Sequence, residues 1–405
     1  KTTTARMLAA IAREAGLHPL ANPTGSNLMR GVATALLGET DFLGRVRDAA
    51  HRLGVFEVDE ATLPEAARAL APRVAVFTNL FRDQLDRYGE VDAVAGLWRR
   101  TLAELPPTTT MVLNADDPAV ASLAASATGP VLTYGIEDTS VAGERLEHAS
   151  DYRFCLSCGE ELAYQAAFYG HVGHWRCPGC GQARPRPDVA ATCVELVSER
   201  STRLTLRTPQ GELRVDVPLA GLYNVENALA AATGALALGL PLAAVERALG
   251  AFRAAFGRQE RFQVDGREVL VLLGKNPTGL NQVLRTIASA GEGDGRHLLL
   301  FLNDGIADGR DISWIWDADY ELMAERAASV VVSGTRAEEL ALRLKYADFR
   351  VEPHVIHGAR AALDAALAGT PPGATLYVVP TYTAMLEVRE LLARRGQRRP
   401  FWEAG

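Results

Sequence analysis

The sequence predicts an α/β chain of two doubly wound units, the first carrying a small cysteine-rich insertion. Three observations predict it. Short apolar runs of strand length alternate with helix-period segments at both ends of the chain. Several runs close on small or polar residues, as strands do where they feed ligand-binding loops. Between the two alternations, from about 151 to 187, four cysteines and several aromatics break the pattern. A length of 405 residues fits two or three domains at about 150 residues each. The expected boundaries are 1–260 and 261–405.

In chain order, residues 3–15 read as a helix by their apolar spacing. Residues 54–58, 74–78 and 111–113 are short β-rich runs, the last ending at Asn114. Interleaved with helices, they imply a mostly parallel sheet. Residues 224–256 are Ala-rich and helical in pattern. The uncharged stretch 228–245 is long enough to raise a membrane question. It is mostly Ala and Gly, however, and is broken by Gly239 and Pro241, so it reads as two buried helices meeting at a turn. Beyond 261, strands are expected at 297–302, 328–332 and 375–379, with helices at 336–346, 359–367 and 384–395. These strands end in Asn303-Asp304, Ser333-Gly334-Thr335 and Thr381-Tyr382-Thr383, three loops that should share one crevice.

Composition narrows the function. Lys and Arg number 42 against 49 Asp and Glu, a net charge of −7. That excludes a general nucleic-acid binder, which needs basic excess to neutralise phosphates. A hydrophobic content of 48% with 22% charged residues excludes wholesale disorder. No signal peptide or lipidation motif is visible, and the expected compartment is the cytoplasm.

Cys155-Leu-Ser-Cys158 and Cys177-Pro-Gly-Cys180 are separated by eighteen residues, within the spacing of a zinc ribbon. Each knuckle offers two thiolates, and two knuckles complete a closed tetrahedron, so the expected zinc is structural. Disulfides or a redox C-x-x-C are the alternatives, and the paired knuckles and the cytoplasmic compartment disfavour both. Gly159 and Gly181 suit the tight turns. His171 and His174 lie between the knuckles, but four thiolates fill the shell. Cys193 is a lone thiol in a strand-like run and reads as core.

Lys1-Thr2-Thr3-Thr4, running straight into a helix, is similar to the end of a phosphate-binding loop, where Lys reaches phosphates and a hydroxyl ligates Mg²⁺. Alone, such a string is an ordinary helix start. Three further strings give it context. Val55-Phe-Glu57-Val-Asp59-Glu60 places carboxylates at a strand end, where a metal ligand would sit. Phe77-Thr-Asn79 runs on through Asp83-Gln84-Leu-Asp86-Arg87 to Gly89-Glu90, and Leu113-Asn114-Ala-Asp116-Asp117-Pro118 follows the next strand. Gly221-Leu-Tyr-Asn224-Val-Glu226-Asn227 opens the Ala-rich helices.

In this order the strings resemble the Mur ligase superfamily, ATP-dependent enzymes that join an amine to a carboxylate, from Lys1 to about Arg261. The resemblance implies that Lys1, Thr2 and Thr3 hold ATP phosphates and that Thr2 and Glu57 ligate Mg²⁺. It also implies that Asn224, Asn227 and Arg258 of Gly257-Arg258 approach the nucleotide. Two departures stand out. Gln84 replaces the His of the usual Asp-His-Leu-Asp, the residue tied to a second metal. Leu272-Leu-Gly-Lys275-Asn276-Pro277 replaces Asp-Tyr-Ala-His-Asn-Pro, removing the ribose-facing Asp.

The ribbon and the altered second unit resemble one branch, the MurT ligase-like subunits of lipid II isoglutaminyl synthase. The matching strings are Gly274-Lys275-Asn276-Pro277-Thr-Gly279, Leu302-Asn303-Asp304, Asp308-Gly-Arg-Asp311-Ile-Ser-Trp314-Ile-Trp316-Asp317 and Ser333-Gly-Thr-Arg336. The branch implies ATP-dependent amidation of D-glutamate in the lipid II stem peptide, with ammonia from a GatD-like class I glutamine amidotransferase. It implies that Asp311 completes the partner's Cys–His pair. Asp304, Asp308 and Asp317 are rivals that spacing does not separate, and Trp314 and Trp316 among these acids read as interface. Two other readings stay open: a free-standing amino-acid ligase, and a non-catalytic zinc-ribbon scaffold.

Overall fold

Apolar periodicity at the start of the chain builds helix α1 (Thr2–Glu14), which buries Met7, Leu8, Ile11 and Ala12. The computed structural model describes residues 1–22, 26–82, 91–143, 146–147, 150–198, 200–253, 258–289 and 295–395. The side chain of Arg258 lies outside them, as do Asp83, Gln84, Asp86 and Gly257. The chain divides into two compact units, the first ending at Arg253 and the second following it, with Arg82 belonging to the second.

In the first unit β1 (His18–Ala21) pairs in parallel with β2 (Arg52–Val55), forming a small sheet of their own. The strand expected over 54–58 thus ends early. The physical reason is Asn22: its side chain accepts from the Glu57 N–H (2.9 Å) and donates to the Glu57 carbonyl (2.9 Å), taking both backbone groups out of any ladder. The main sheet has β3 (Val74–Phe77), β4 (Thr110–Asn114) and β5 (Val131–Ile136) side by side and parallel. Next to β5 lies β8 (Val189–Ser198), also parallel, then β9 (Ser201–Thr208) and β10 (Gly211–Val217) as an antiparallel meander. Four of the six strands, β3, β4, β5 and β8, are therefore of the parallel, wound kind. The outer strands alternate instead: Thr202, Leu204, Leu206 and Thr208 of β9 point inward, the pattern of a sheet with one solvated face.

The cysteine-rich segment holds the hairpin β6 (Ala163–Tyr169) and β7 (Val172–Arg176), with one knuckle before and one after it. The apolar stretch 228–245 falls, as expected, on two helices. These are Leu222–Ala237, called αN below, and Leu242–Gly250. They meet at Gly239, whose φ of +77° suits glycine alone. No described helix is long and apolar enough to cross a membrane. Small residues let αN pack closely, and a Cβ at Gly234 would come within 3.2 Å of Val76 and 3.6 Å of Leu8.

In the second unit the strands run β11 (Arg258–Val264), β12 (Arg267–Leu272), β16 (Thr375–Pro380), β13 (Arg296–Phe301), β14 (Ala327–Ser333), β15 (His354–Val355). All pairs are parallel except the β11–β12 hairpin, which straddles the boundary expected at 260/261. Side chains alternate between two cores. Leu270, Leu298, Leu300, Val330 and Val332 pack with the helix Pro277–Ala288 through Leu280 and Leu284. Val269, Leu299, Phe301 and Val331 pack on the other face with Leu363, Met385 and Val388. Both faces are covered, which is why these strands read as unbroken apolar runs. Leu284→Ala, which empties a fully buried position, should lower stability by about 2–5 kcal/mol, read as a shifted urea midpoint with unchanged slope.

Candidate functional site

The first cluster gathers around the start of α1. Ala5 N–H makes the first helical bond, to Lys1 O, so the N–H groups of Thr2, Thr3 and Thr4 have no intrahelical acceptor. No side chain caps this end. Such a terminus is a ready anion site. Lys1 Nζ lies 2.7 Å from both oxygens of Glu60, and Trp98 Nε1 steadies the Glu60 carbonyl at 3.3 Å. The structure pairs Lys1 with Glu60 rather than Glu57, whose backbone is tied to Asn22. Glu57 stays half-buried two residues past β2.

αN closes the cluster. Gly221 at its cap takes φ +92°, and the first turns present Asn224 and Asn227. Thr4 Oγ1 lies 2.8 Å from Asn227 Oδ1, Asn227 Nδ2 donates to Asn224 Oδ1 (3.3 Å), and Asn224 Nδ2 donates to Ala220 O (2.7 Å). The phosphate-type helix end and both expected asparagines therefore share one hydrogen-bonded chain. Thr4 and Glu60 carry it without having been singled out, though both stand inside strings that were.

The four expected zinc thiols come together. All Sγ atoms lie within 4.8 Å of one another, with Cys155–Cys180 at 3.6 Å and Cys158–Cys177 at 3.4 Å. Tetrahedral zinc with Zn–S near 2.3 Å needs S···S distances of about 3.8 Å, so the donor set fits. The Cys180 N–H chiefly draws the Cys177 thiol down to about 6, while Cys158 and Cys180 shift upward as the clustered thiols share their protons. His171 and His174 belong elsewhere: His171 Nε2 faces Asp117 at 3.3 Å and His174 Nε2 faces Ile136 O at 2.7 Å.

In the second unit Asn303 ties the three expected loops together. Its N–H donates to Thr381 Oγ1 (3.0 Å), its Nδ2 to Thr383 Oγ1 (2.8 Å), and its Oδ1 accepts from Thr335 N–H (3.0 Å). The acids sort themselves by their partners. Asp304 binds Arg336 Nε (2.7 Å) and Thr335 Oγ1 (2.8 Å). Asp308 is buried and accepts from Thr383 N–H (2.7 Å) and Oγ1 (2.5 Å). Asp317 is half-buried at the close of the turn Ser313–Asp317. Asp311 is exposed and accepts only from Ser313 among the described residues, through its N–H at 2.8 Å and its hydroxyl. Ser313 also holds the Asp311 carboxyl below its ordinary range, so it is charged. Trp316, five residues on and 50% exposed, stands against Tyr346 (5.6 Å) and Arg343 (5.8 Å). Asn276 caps the helix Pro277–Ala288 by accepting from Gly279 N–H at 2.7 Å.

Residues 1–174 match the Mur ligase middle domain and residues 273–385 the MurT ligase C-terminal domain. A pseudomurein peptide ligase type C from Methanothermus fervidus superposes with TM-score 0.72 at 24% identity, over 97% of this chain and 76% of its own. MurF from Acinetobacter baumannii does so with TM-score 0.69 at 19% identity, over 96% and 74%. The fold is that of the Mur ligases. A Streptococcus pneumoniae protein named lipid II isoglutaminyl synthase (glutamine-hydrolyzing) subunit MurT is 32% identical over 98% of this chain and 85% of its own. A Staphylococcus aureus protein of the same name is 30% identical over 97% and 85%. The chain belongs to the MurT family.

The Thr335 hydroxyl first, and then Arg336, depress the Asp304 carboxyl. A depressed carboxyl stabilises the fold above its unfolded value of about 3.9, and that contribution is lost as pH falls through the folded value. Arg336→Met should make the fall in melting temperature between about pH 5 and about pH 3 shallower, as followed by circular dichroism.

Proposed function

We propose that the chain is the ATP-dependent amidating subunit of a lipid II isoglutaminyl synthase, working in the cytoplasm at the inner face of the membrane. Its substrate is the α-carboxylate of D-glutamate in the lipid II stem peptide. The partner is a GatD-like class I glutamine amidotransferase that releases ammonia. The observation that carries the reading is the α1 terminus gathered with Lys1 and the Asn227–Asn224 chain, in a chain of the MurT family.

A carboxylate is a poor electrophile at neutral pH. Its oxygen attacks the γ-phosphorus of ATP, ADP leaves, and the acyl phosphate then takes ammonia at carbon while phosphate departs. The uncapped N–H groups of Thr2 to Thr4 and the Lys1 ammonium meet charge on the phosphates, where fixed donors cost no reorganisation. Glu60 holds Lys1 in place and yields it to the phosphates. Mg²⁺, held by Thr2 and Glu57, would neutralise phosphoryl charge when bound. Zinc at Cys155, Cys158, Cys177 and Cys180 has a structural part only.

Asp311, charged and exposed, would orient a histidine of the partner subunit and stabilise its cationic form. With the partner present, Asp311→Asn should cut glutamine-dependent amidation of lipid II by about 10³–10⁴, while ammonium chloride restores product. Amidation from glutamine without any partner would sink the reading, as would nucleotide turnover unchanged in Lys1→Met. Metal analysis should find a single zinc per chain, lost in Cys177→Ser.

A further inference from the structure

The ribbon hairpin is bound tightly to the loop that follows β4. Trp175 Nε1, two residues before Cys177, donates to Ala115 O at 3.1 Å. Gly173 N–H donates to Asp116 O at 2.9 Å. Arg184, four residues past Cys180, donates through Nε to an Asp116 oxygen and through Nη1 to Glu137 at 2.7 Å. The other Asp116 oxygen accepts from Ile136 N–H at 2.7 Å.

The same loop meets αN. Asn114 Nδ2 donates to Glu226 Oε2 at 3.0 Å, while Asn114 Oδ1 accepts from Asp116 N–H at 2.8 Å. Glu226 is the residue between the Asn224 and Asn227 turns, is 2% exposed, and its Oε1 lacks a donor. We propose that the cysteine-held ribbon buttresses the nucleotide-binding helix: Arg184, Asp116 and Glu226 form a buried relay that sets the position of Asn224 and Asn227. The inference rests on reading the α1–αN cluster as the ATP site.

Chemistry supports the middle link. Two buried carboxyls side by side do not both ionise. Burial raises both carboxyls, but at Asp116 it is opposed by Arg184 and the Ile136 N–H, while at Glu226 burial and the neighbouring Asp116 together push the group well above the carboxylate range. Glu226 is then the neutral partner. Its O–H is the donor that Asp116 lacks on that side, and Oε1 ceases to be an orphan. The relay acts by position, not by touching the nucleotide.

The test is Mg·ATP affinity by calorimetry on the full chain, with KM and kcat measured in the complex. Arg184→Met and Glu226→Leu should each weaken binding about tenfold, raising KM for ATP while kcat stays within about twofold. Glu226→Gln, whose amide donates to Asp116 and whose carbonyl accepts from Asn114, should stay within about twofold of wild type. Stripping the metal with a chelator should weaken nucleotide binding as Arg184→Met does. Val245→Ala, a buried change away from the relay, should lower the melting temperature without changing affinity. Wild-type affinity in folded Arg184→Met, or Glu226→Gln as weak as Glu226→Leu, would overturn the relay. Should Glu226→Leu not fold, Arg184→Met and the chelated chain decide. Lys1→Met marks the other failure: unchanged affinity there would remove the ATP-site reading itself.

Discussion

Much of the first unit depends on one costly constraint, a polar loop with no access to water. Asn114, Asp116 and Asp117 are fully buried, and a buried charge or amide without partners costs more than most single contacts supply. Each neighbouring element meets part of that demand. β5 supplies the Ile136 N–H, the residues after β3 supply the Leu80 N–H to Asp117, and Ala119 and Val120 supply theirs from the short helix Pro118–Ser122. The ribbon brings Arg184 and His171, and αN brings Glu226. Satisfying the loop thus draws sheet, insertion and helix into fixed register. Polar networks of this kind rigidify a site when complete.

The second unit solves a different problem, presenting one carboxylate while silencing its neighbours. Four acids lie within 304–317, and local chemistry separates them. Asp304 and Asp308 are spent on joining loops to strand ends, and their oxygens already accept hydroxyl, amide or guanidinium hydrogens. Among the described residues Asp311 has only Ser313, two residues on, which turns the chain and keeps the carboxylate ionised without covering it. Trp316, five residues on, is held by Tyr346 and by the buried Arg343, which is itself anchored to Ala318 O (2.7 Å) and Glu321 (2.8 Å). An aromatic so held loses little rotamer freedom on contact, a property of residues that anchor interfaces.

How legible this was in the sequence follows from the range of each interaction. The three strands and three helices expected in the second unit were readable almost to the residue, because both sheet faces are covered and the apolar runs are continuous, whereas β11, β12, β15 and the helix Pro277–Ala288 went unread. The four-cysteine cluster was readable because its thiols follow a spacing. The antiparallel meander β8–β10 was missed, since short alternating strands gave no signal as strong as the Ala-rich helices after them. The Lys1–Glu60 pair and the relay through Arg184 are contacts across 59 and 68 positions, and no local pattern encodes such partners. Glu226 did leave a trace: it is the lone charged residue in an apolar stretch from 222 to 245. A solitary charge in a helix buried all round must have a partner, and asking for one would have led to Asn114 and Asp116.

The division of labour between two subunits also follows from what the thiols do. Ammonia release from glutamine by the cysteine route needs a thiolate beside a histidine. Four of the five cysteines face one another, and the fifth, Cys193, sits on β8 without a histidine partner among the described residues. The histidines of the insertion are equally committed, His171 to Asp117 and His174 to a backbone carbonyl. On the proposed reading the chain offers half of each requirement: a helix end that would receive phosphate, and an ionised Asp311 without an imidazole partner among the described residues. On the function proposed above, this exposed and ionised carboxylate is left for a second protein to use.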